Sequence, residues 1–268
     1  MEKGLSIPTK IFLAIELVLY LLFMGIDIVS CYPGISQDNI FYRLSEIPFF
    51  ASSHLKYYGI MLCFIFSIFL FITKREKSKA LLSAAMFFTL VSDFFLLLHP
   101  DIMIPGLITF IVAQSIYLYV ITGGDMRKLA YSVAIRIGIA FLAAFILEHT
   151  GLIYPGYSRK DQIILFLGLL YAISFFGNVI RHACNIFSHK KAAKTGDVQN
   201  KPKCLFKYPV LFMIGLMLFV LCDINVLIFN LYRFMDISSS WYSTLYLISS
   251  VLMWAFYLPS QVLIVLSA

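Results

Sequence analysis

The chain has 268 residues, of which 61% are apolar and 13% charged, with a mean hydropathy of +0.89. A water-soluble core of this size cannot hide that much apolar surface, which excludes an ordinary soluble enzyme and a disordered chain. The net charge of +7 sits in short segments between apolar runs and is not interleaved with exposed aromatics, so it reads as a topology signal and not as a nucleic-acid surface.

Apolar stretches of about 17–25 residues, the length that crosses about 30 Å of hydrocarbon, follow one another along the chain. They run from Thr9 to Ser30, Lys56 to Thr73, Ala80 to Leu98, Pro105 to Thr122, Leu129 to Leu147, Gln162 to Phe187, Tyr208 to Tyr232 and Tyr242 to Ala268. Their β-branched and aromatic content does not argue for strands, because barrel strands alternate in polarity and an open sheet edge cannot face lipid. The expected fold is an all-α, polytopic bundle of eight transmembrane helices in a single domain, residues 1–268. Lys3 and Lys10 precede the first run in the manner of a signal peptide, but the run is long and carries Glu16 and Asp27, so it is expected to stay as a span. Cys31, Cys63, Cys184, Cys204 and Cys222 form no metal-ligand spacing, and neither a metal nor a cofactor is expected.

Loop charge sets an expected orientation. The N-terminal segment, Lys74 to Lys79, Arg127-Lys128 and Arg181 to Lys207 hold 15 of the 21 basic residues; the alternate loops hold Arg43, Lys56, Arg159, Lys160 and Arg233. By the positive-inside rule both termini belong in the cytoplasm, in keeping with a bacterial plasma membrane. Of the two longer loops, Cys31 to Leu55 is aromatic enough to pack over the bundle mouth as a lid. Ser188 to Lys207 reads as a basic linker near anionic head groups. A weak echo between Met86–Asp93 and Leu216–Asp223 suggests two parallel four-helix halves.

Acids inside spans are expensive and mark candidate sites. Asp27 lies near the end of its span and reads as structural; Glu16 and Arg136 lie at matching depth and are expected to form a buried ion pair. Asp93 and Asp223 differ. Counted inward from Leu98 and Tyr232 they sit about five and nine residues deep, within about 6 Å of each other in depth, and neither span offers a cation there. Facing each other across a cavity, one protonated and one ionised, they would make a general acid and general base pair. Gln114, Tyr117, Asn178, Tyr257 and Gln261 supply further polar atoms, as interhelical hydrogen bonds or as a polar lining.

The segment from Ala80 through Val91-Ser92-Asp93-Phe94, followed by Pro105-Gly106-Leu107 to Gln114-Ser115-Ile116-Tyr117, resembles the YhhN-type lysoplasmalogenase family. Gly215 to Cys222-Asp223 resembles that family's second Ser-Asp helix, Tyr257-Leu258-Pro259-Ser260-Gln261 its terminal Tyr-x-x-x-Gln helix, and Lys56-Tyr57 its Lys-Pro position. The chain departs from the family at Gln114, where His is usual, and at Ser92, where Gly is common. The resemblance implies hydrolysis of the vinyl-ether bond of lysoplasmalogens, with Asp93 and Asp223 as catalytic acids and Gln114, Tyr117, Tyr257, Gln261 and Lys56 around the substrate. Its partners would be a lyso-phospholipid substrate and the surrounding membrane lipids. Two other readings stay open: a non-catalytic lyso-lipid binder, and a proton-coupled transporter of a lipid or small molecule. The sequence carries no signal of oligomeric state.

Overall fold

The computed structural model describes residues 5–31, 39–150, 158–195, 206–234 and 240–268. Its helices are α1 (Ile7–Cys31), α2 (Ile40–Ser45), α3 (Ser52–Lys74), α4 (Lys77–Asp93), α5 (Met103–Ile121), α6 (Met126–His149), α7 (Arg159–Thr195), α8 (Pro209–Asn230) and α9 (Ser240–Leu266). All but α2 belong to spans long and apolar enough to cross a membrane, eight in number, and no strand occurs among the described residues. Lipid supplies no hydrogen-bonding partner, so each span satisfies its own backbone as a helix. The protein is a multi-pass helical membrane protein.

Turn chemistry sets the ends of the short connections. Arg75 closes α3 in the left-handed region, φ 45°, its N–H donating to Phe71 O at 2.6 Å. Gly123 and Gly124, at φ 70° and 83°, reverse the chain after α5, a conformation that favours glycine. Asp125 then caps α6, its Oδ1 accepting from the Arg127 and Lys128 amides at 3.0 and 3.2 Å. The Lys128 amide and ammonium, with the Arg127 amide, hold this carboxyl below the usual carboxylate range.

Seven spans close a ring in the order α1, α3, α4, α5, α7, α8, α9, with α9 returning to α3 and α1. The α6 helix stands outside, packed on α7 and more lightly on α5; only Arg136 and Ala140 of it are buried. In this ring α4 and α8 are not neighbours: α5 and α7 lie between them on one side, α3 and α9 on the other. The tightest seam is α8 against α9, where Gly215 lets the backbones approach: a Cβ there would lie 3.1 Å from Ser260 O. Helix α9 continues through Pro259, and the Ala255 carbonyl that proline leaves without its helical donor accepts from Tyr20 Oη at 3.3 Å.

Two sequence expectations change. The sixth span, expected to end at Phe187, continues as helix to Thr195, so the first part of the expected basic linker is helical; its remainder, 196–205, lies outside the described residues. The expected Glu16–Arg136 ion pair does not form. Arg136 Nη1 donates to Asn178 Oδ1 at 2.9 Å, while Glu16 Oε1 accepts from Cys63 Sγ at 3.3 Å. Equal depth did not bring them together because α6 lies outside the ring and α1 packs on α3 and α9. The described part of the 31–55 loop does pack down on the bundle: the Phe41 ring of α2 lies over Gly25, and Leu44 and Phe50 join the core; residues 32–38 lie outside the described residues.

Candidate functional site

The site begins where α4 stops being a regular helix. After Asp93 the chain makes a single π-helical turn, Phe94–Leu98, a form that occurs mostly as isolated turns and often at functional positions. Its neighbour α5 fixes it there. Ser92 Oγ donates to Gly106 O at 2.7 Å, and Leu96 covers Gly106 so closely that a Cβ would meet Leu96 Cγ at 2.7 Å. Small residues at the contact bring α4 against α5 and leave the Asp93 carboxyl inside the ring, 4% exposed.

Each carboxylate is held by a tyrosine from a different helix. Tyr257 Oη of α9 donates to Asp93 Oδ2 at 2.7 Å, and Tyr171 Oη of α7 donates to Asp223 Oδ2 at 2.8 Å. The two tyrosine rings meet around one phenylalanine: Phe110 lies 5.4 Å from the Tyr171 ring and 6.5 Å from the Tyr257 ring, centroid to centroid. Phe219 completes the cluster, 6.0 Å from Phe110 and 5.4 Å from Tyr257. The arrangement is therefore two Asp–Tyr pairs from α4, α7, α8 and α9, converging on an apolar aromatic wall.

Of the residues singled out in the sequence, Asp93, Asp223 and Tyr257 come together here. Gln114 and Tyr117 lie further along α5. Gln114 Oε1 accepts from Asn178 Nδ2 at 3.0 Å, and Tyr117 Oη donates to Met86 Sδ at 3.7 Å beside the Phe212 ring. Gln261, wholly buried one turn beyond Tyr257, has Nε2 3.4 Å from Ser260 Oγ. Lys56 Nζ pairs with Asp27 Oδ2 at 2.7 Å and lies over the Trp254 ring, which in turn stands edge-on to Tyr257 at 5.1 Å. None of Gln114, Tyr117, Gln261 and Lys56 hydrogen-bonds either site carboxylate among the described residues. Tyr171 was missed by the sequence reading. Its signal is depth, since it lies about nine residues inward from Gln162, the same inward count as Asp223 from Tyr232.

No curated protein and no solved structure matches the chain. The sequence model of the YhhN family matches residues 51–268. That match begins one residue before α3, takes in seven of the eight spans and all four members of the two Asp–Tyr pairs, and by it the chain belongs to the YhhN family.

Proposed function

We propose that the protein is a membrane-embedded hydrolase of the lysoplasmalogenase type, cleaving the vinyl ether of a lyso-phospholipid to a fatty aldehyde and a glycerophospho-head group. The observation that carries the reading is the convergence of two carboxyl groups, Asp93 buried and Asp223 half-buried, each held by a tyrosine hydroxyl, on one apolar wall. Family membership supports it, and the resemblance of the Asp93 and Asp223 helices to the YhhN-type lysoplasmalogenases names the substrate.

The chemistry needs two carboxyl groups and water. One carboxyl donates its proton to the β-carbon of the vinyl ether, and the α-carbon becomes an oxocarbenium ion. The second, ionised, stabilises that cation and accepts a proton from the water that attacks it. The hemiacetal then collapses: its hydroxyl proton returns to the first carboxylate, the second delivers its proton to the departing glycerol oxygen, and the C–O bond breaks. Both carboxyls end as they began, and one water is consumed. Asp93 and Asp223 carry these two roles, Tyr257 and Tyr171 fix the carboxylate orientation, and Phe110 and Phe219 exclude bulk water from the cation. Gln114, Tyr117 and Gln261 line the interior toward the N-terminal end of the bundle, where the single acyl chain would lie; Lys56 faces the head-group side through Trp254. The bundle acts as one domain with both termini cytoplasmic, in a bacterial plasma membrane.

The test is aldehyde release by purified protein in detergent from a lysoplasmalogen, beside the matched ester lyso-lipid. Turnover of the vinyl ether alone is expected, falling by at least about a hundredfold in Asp93→Asn and in Asp223→Asn. A folded wild type that binds the lipid and releases no aldehyde would overturn the hydrolase reading in favour of a lipid binder.

A further inference from the structure

Outside the ring, α6 and α7 enclose a groove of about 350 Å³ whose lining includes Tyr131, Ile135, Arg136, Ile139, Ile173 and Arg181. Its walls are apolar and its two charged members are both cationic. Arg136 is 6% exposed and its guanidinium lies against Gly177, where a Cβ would meet Nη2 at 2.8 Å and push the guanidinium aside. Nη1 is taken by Asn178 Oδ1. Arg181 lines the same groove, and no carboxylate forms an ion pair with either arginine among the described residues. Two like charges lining one groove, Arg136 near the middle of its span and Arg181 closer to the C-terminal end of its own, with no protein counterion among the described residues, call for an anion.

Depth identifies its source. Asn185, one turn beyond Arg181, donates to Ile121 O at the very end of α5, so Arg181 lies about 6 Å inside the level at which α5 ends. Tyr131 is an interfacial aromatic, 73% exposed. Ile135, Ile139 and Ile173 continue the groove toward the bilayer centre. We propose that this groove binds an anionic membrane phospholipid, its phosphate between Arg136 and Arg181 and one acyl chain along the three isoleucines. A zwitterionic lipid brings a further cation to a groove that already holds two and leaves its net charge unchanged, whereas an anionic lipid lowers it; a free phosphate has no use for the apolar half. This site is separate from the Asp–Tyr cluster and does not depend on the activity proposed above. Through Asn178, which also donates to Gln114 O and Oε1, Arg136 ties the groove to the bundle interior.

Native mass spectrometry of the purified protein, delipidated and then supplied with phosphatidylglycerol or phosphatidylcholine, tests the site. The wild type is expected to retain phosphatidylglycerol about fivefold more strongly. That preference is lost in Arg181→Gln, and binding itself is lost in Ile135→Trp, which fills the apolar half from an exposed position; both variants keep the wild-type melting temperature. Equal retention of the two lipids, or a preference unchanged in Arg181→Gln, overturns the proposal. Displacement of the lipid by millimolar inorganic phosphate also overturns it, assigning the arginines to a free anion instead.

Discussion

A carboxylate deep in a bundle is aimed by whatever donates to it, and at Asp93 and Asp223 that donor is a tyrosine hydroxyl on a different helix. Tyr257→Phe and Tyr171→Phe each remove one hydrogen bond while keeping the ring against Phe110, so packing is nearly conserved and aim is not. Leaving a buried acceptor unsatisfied costs about 1–3 kcal/mol, and a similar loss of positioning in the transition state lowers kcat/KM by about tenfold to a hundredfold. Aldehyde-release kinetics on the two variants check this, and activity within twofold of wild type in both would remove the tyrosines from the mechanism. The two aspartates were legible from sequence because an acid in an apolar span announces itself. Tyr171 was not, because a tyrosine among Leu, Ile and Phe is ordinary and only its partner across the ring gives it meaning. Glu16 and Arg136 mark the converse error: depth along a span can be counted from sequence, but azimuth around the bundle cannot.

At the level of the element, span existence followed from hydropathy and most ends fell within a few residues, since the polarity change at the hydrocarbon boundary is abrupt. What sequence did not carry is the π turn after Asp93. Phe94 to Leu98 is a run of phenylalanine and leucine that fits any helix, and the turn follows from the contact of Leu96 and Ser92 with Gly106 on α5. Gly106→Ala should therefore act beyond its size. Its Cβ meets the Leu96 side chain at 2.7 Å and Ser92 O at 3.2 Å, so Leu96 must move, at about 1–3 kcal/mol of overpacking, and the π turn that begins after Asp93 moves with it. A lowered melting temperature together with reduced turnover is expected; full turnover at lowered stability would separate the turn from the site. A second element-scale effect lies at the start of α6. Asp125 has its carboxyl pKa lowered in the folded protein by the Lys128 and Arg127 amides, so its contribution is complete above the ordinary aspartate range, about 4, and is lost as pH falls through the lower folded value. Asp125→Asn keeps the cap and drops the titration. Melting curves from pH 6 to pH 3 should show the wild type losing stability relative to the variant only at the acid end; parallel curves would mean that the cap carries no charge-dependent stability.

For the whole molecule, the ring order explains why the site could be half read. Two acids on spans of like direction were visible as a pair, and in the ring their helices are not neighbours; that α7 and α9 bring a tyrosine to each, and that α6 stands outside, are properties of packing that no single helix encodes. Orientation rests on a different quantity, the asymmetry of basic residues between alternate connections, which stays in the chain whatever the packing. With 15 of 21 basic residues assigned to the N-terminal side, inverting the bundle would place the Lys74–Lys79 turn, the Arg127-Lys128 turn and the basic stretch after α7 across the membrane, each against the bias that retains Lys and Arg in the cytoplasm. Glu76, exposed in the turn between α3 and α4, and Arg159, exposed at the start of α7, stand at opposite ends of the bundle. In a cysteine-free background, Arg159→Cys should react with a membrane-impermeant maleimide added to intact cells, and Glu76→Cys should react only after the membrane is opened. The reverse pattern would invert the protein and put the Asp–Tyr pairs, which lie nearer the Arg159 end, toward the cytoplasmic leaflet. Labelling of both sites in intact cells would mean a population of mixed topology, and the charge asymmetry would then not be what orients this bundle.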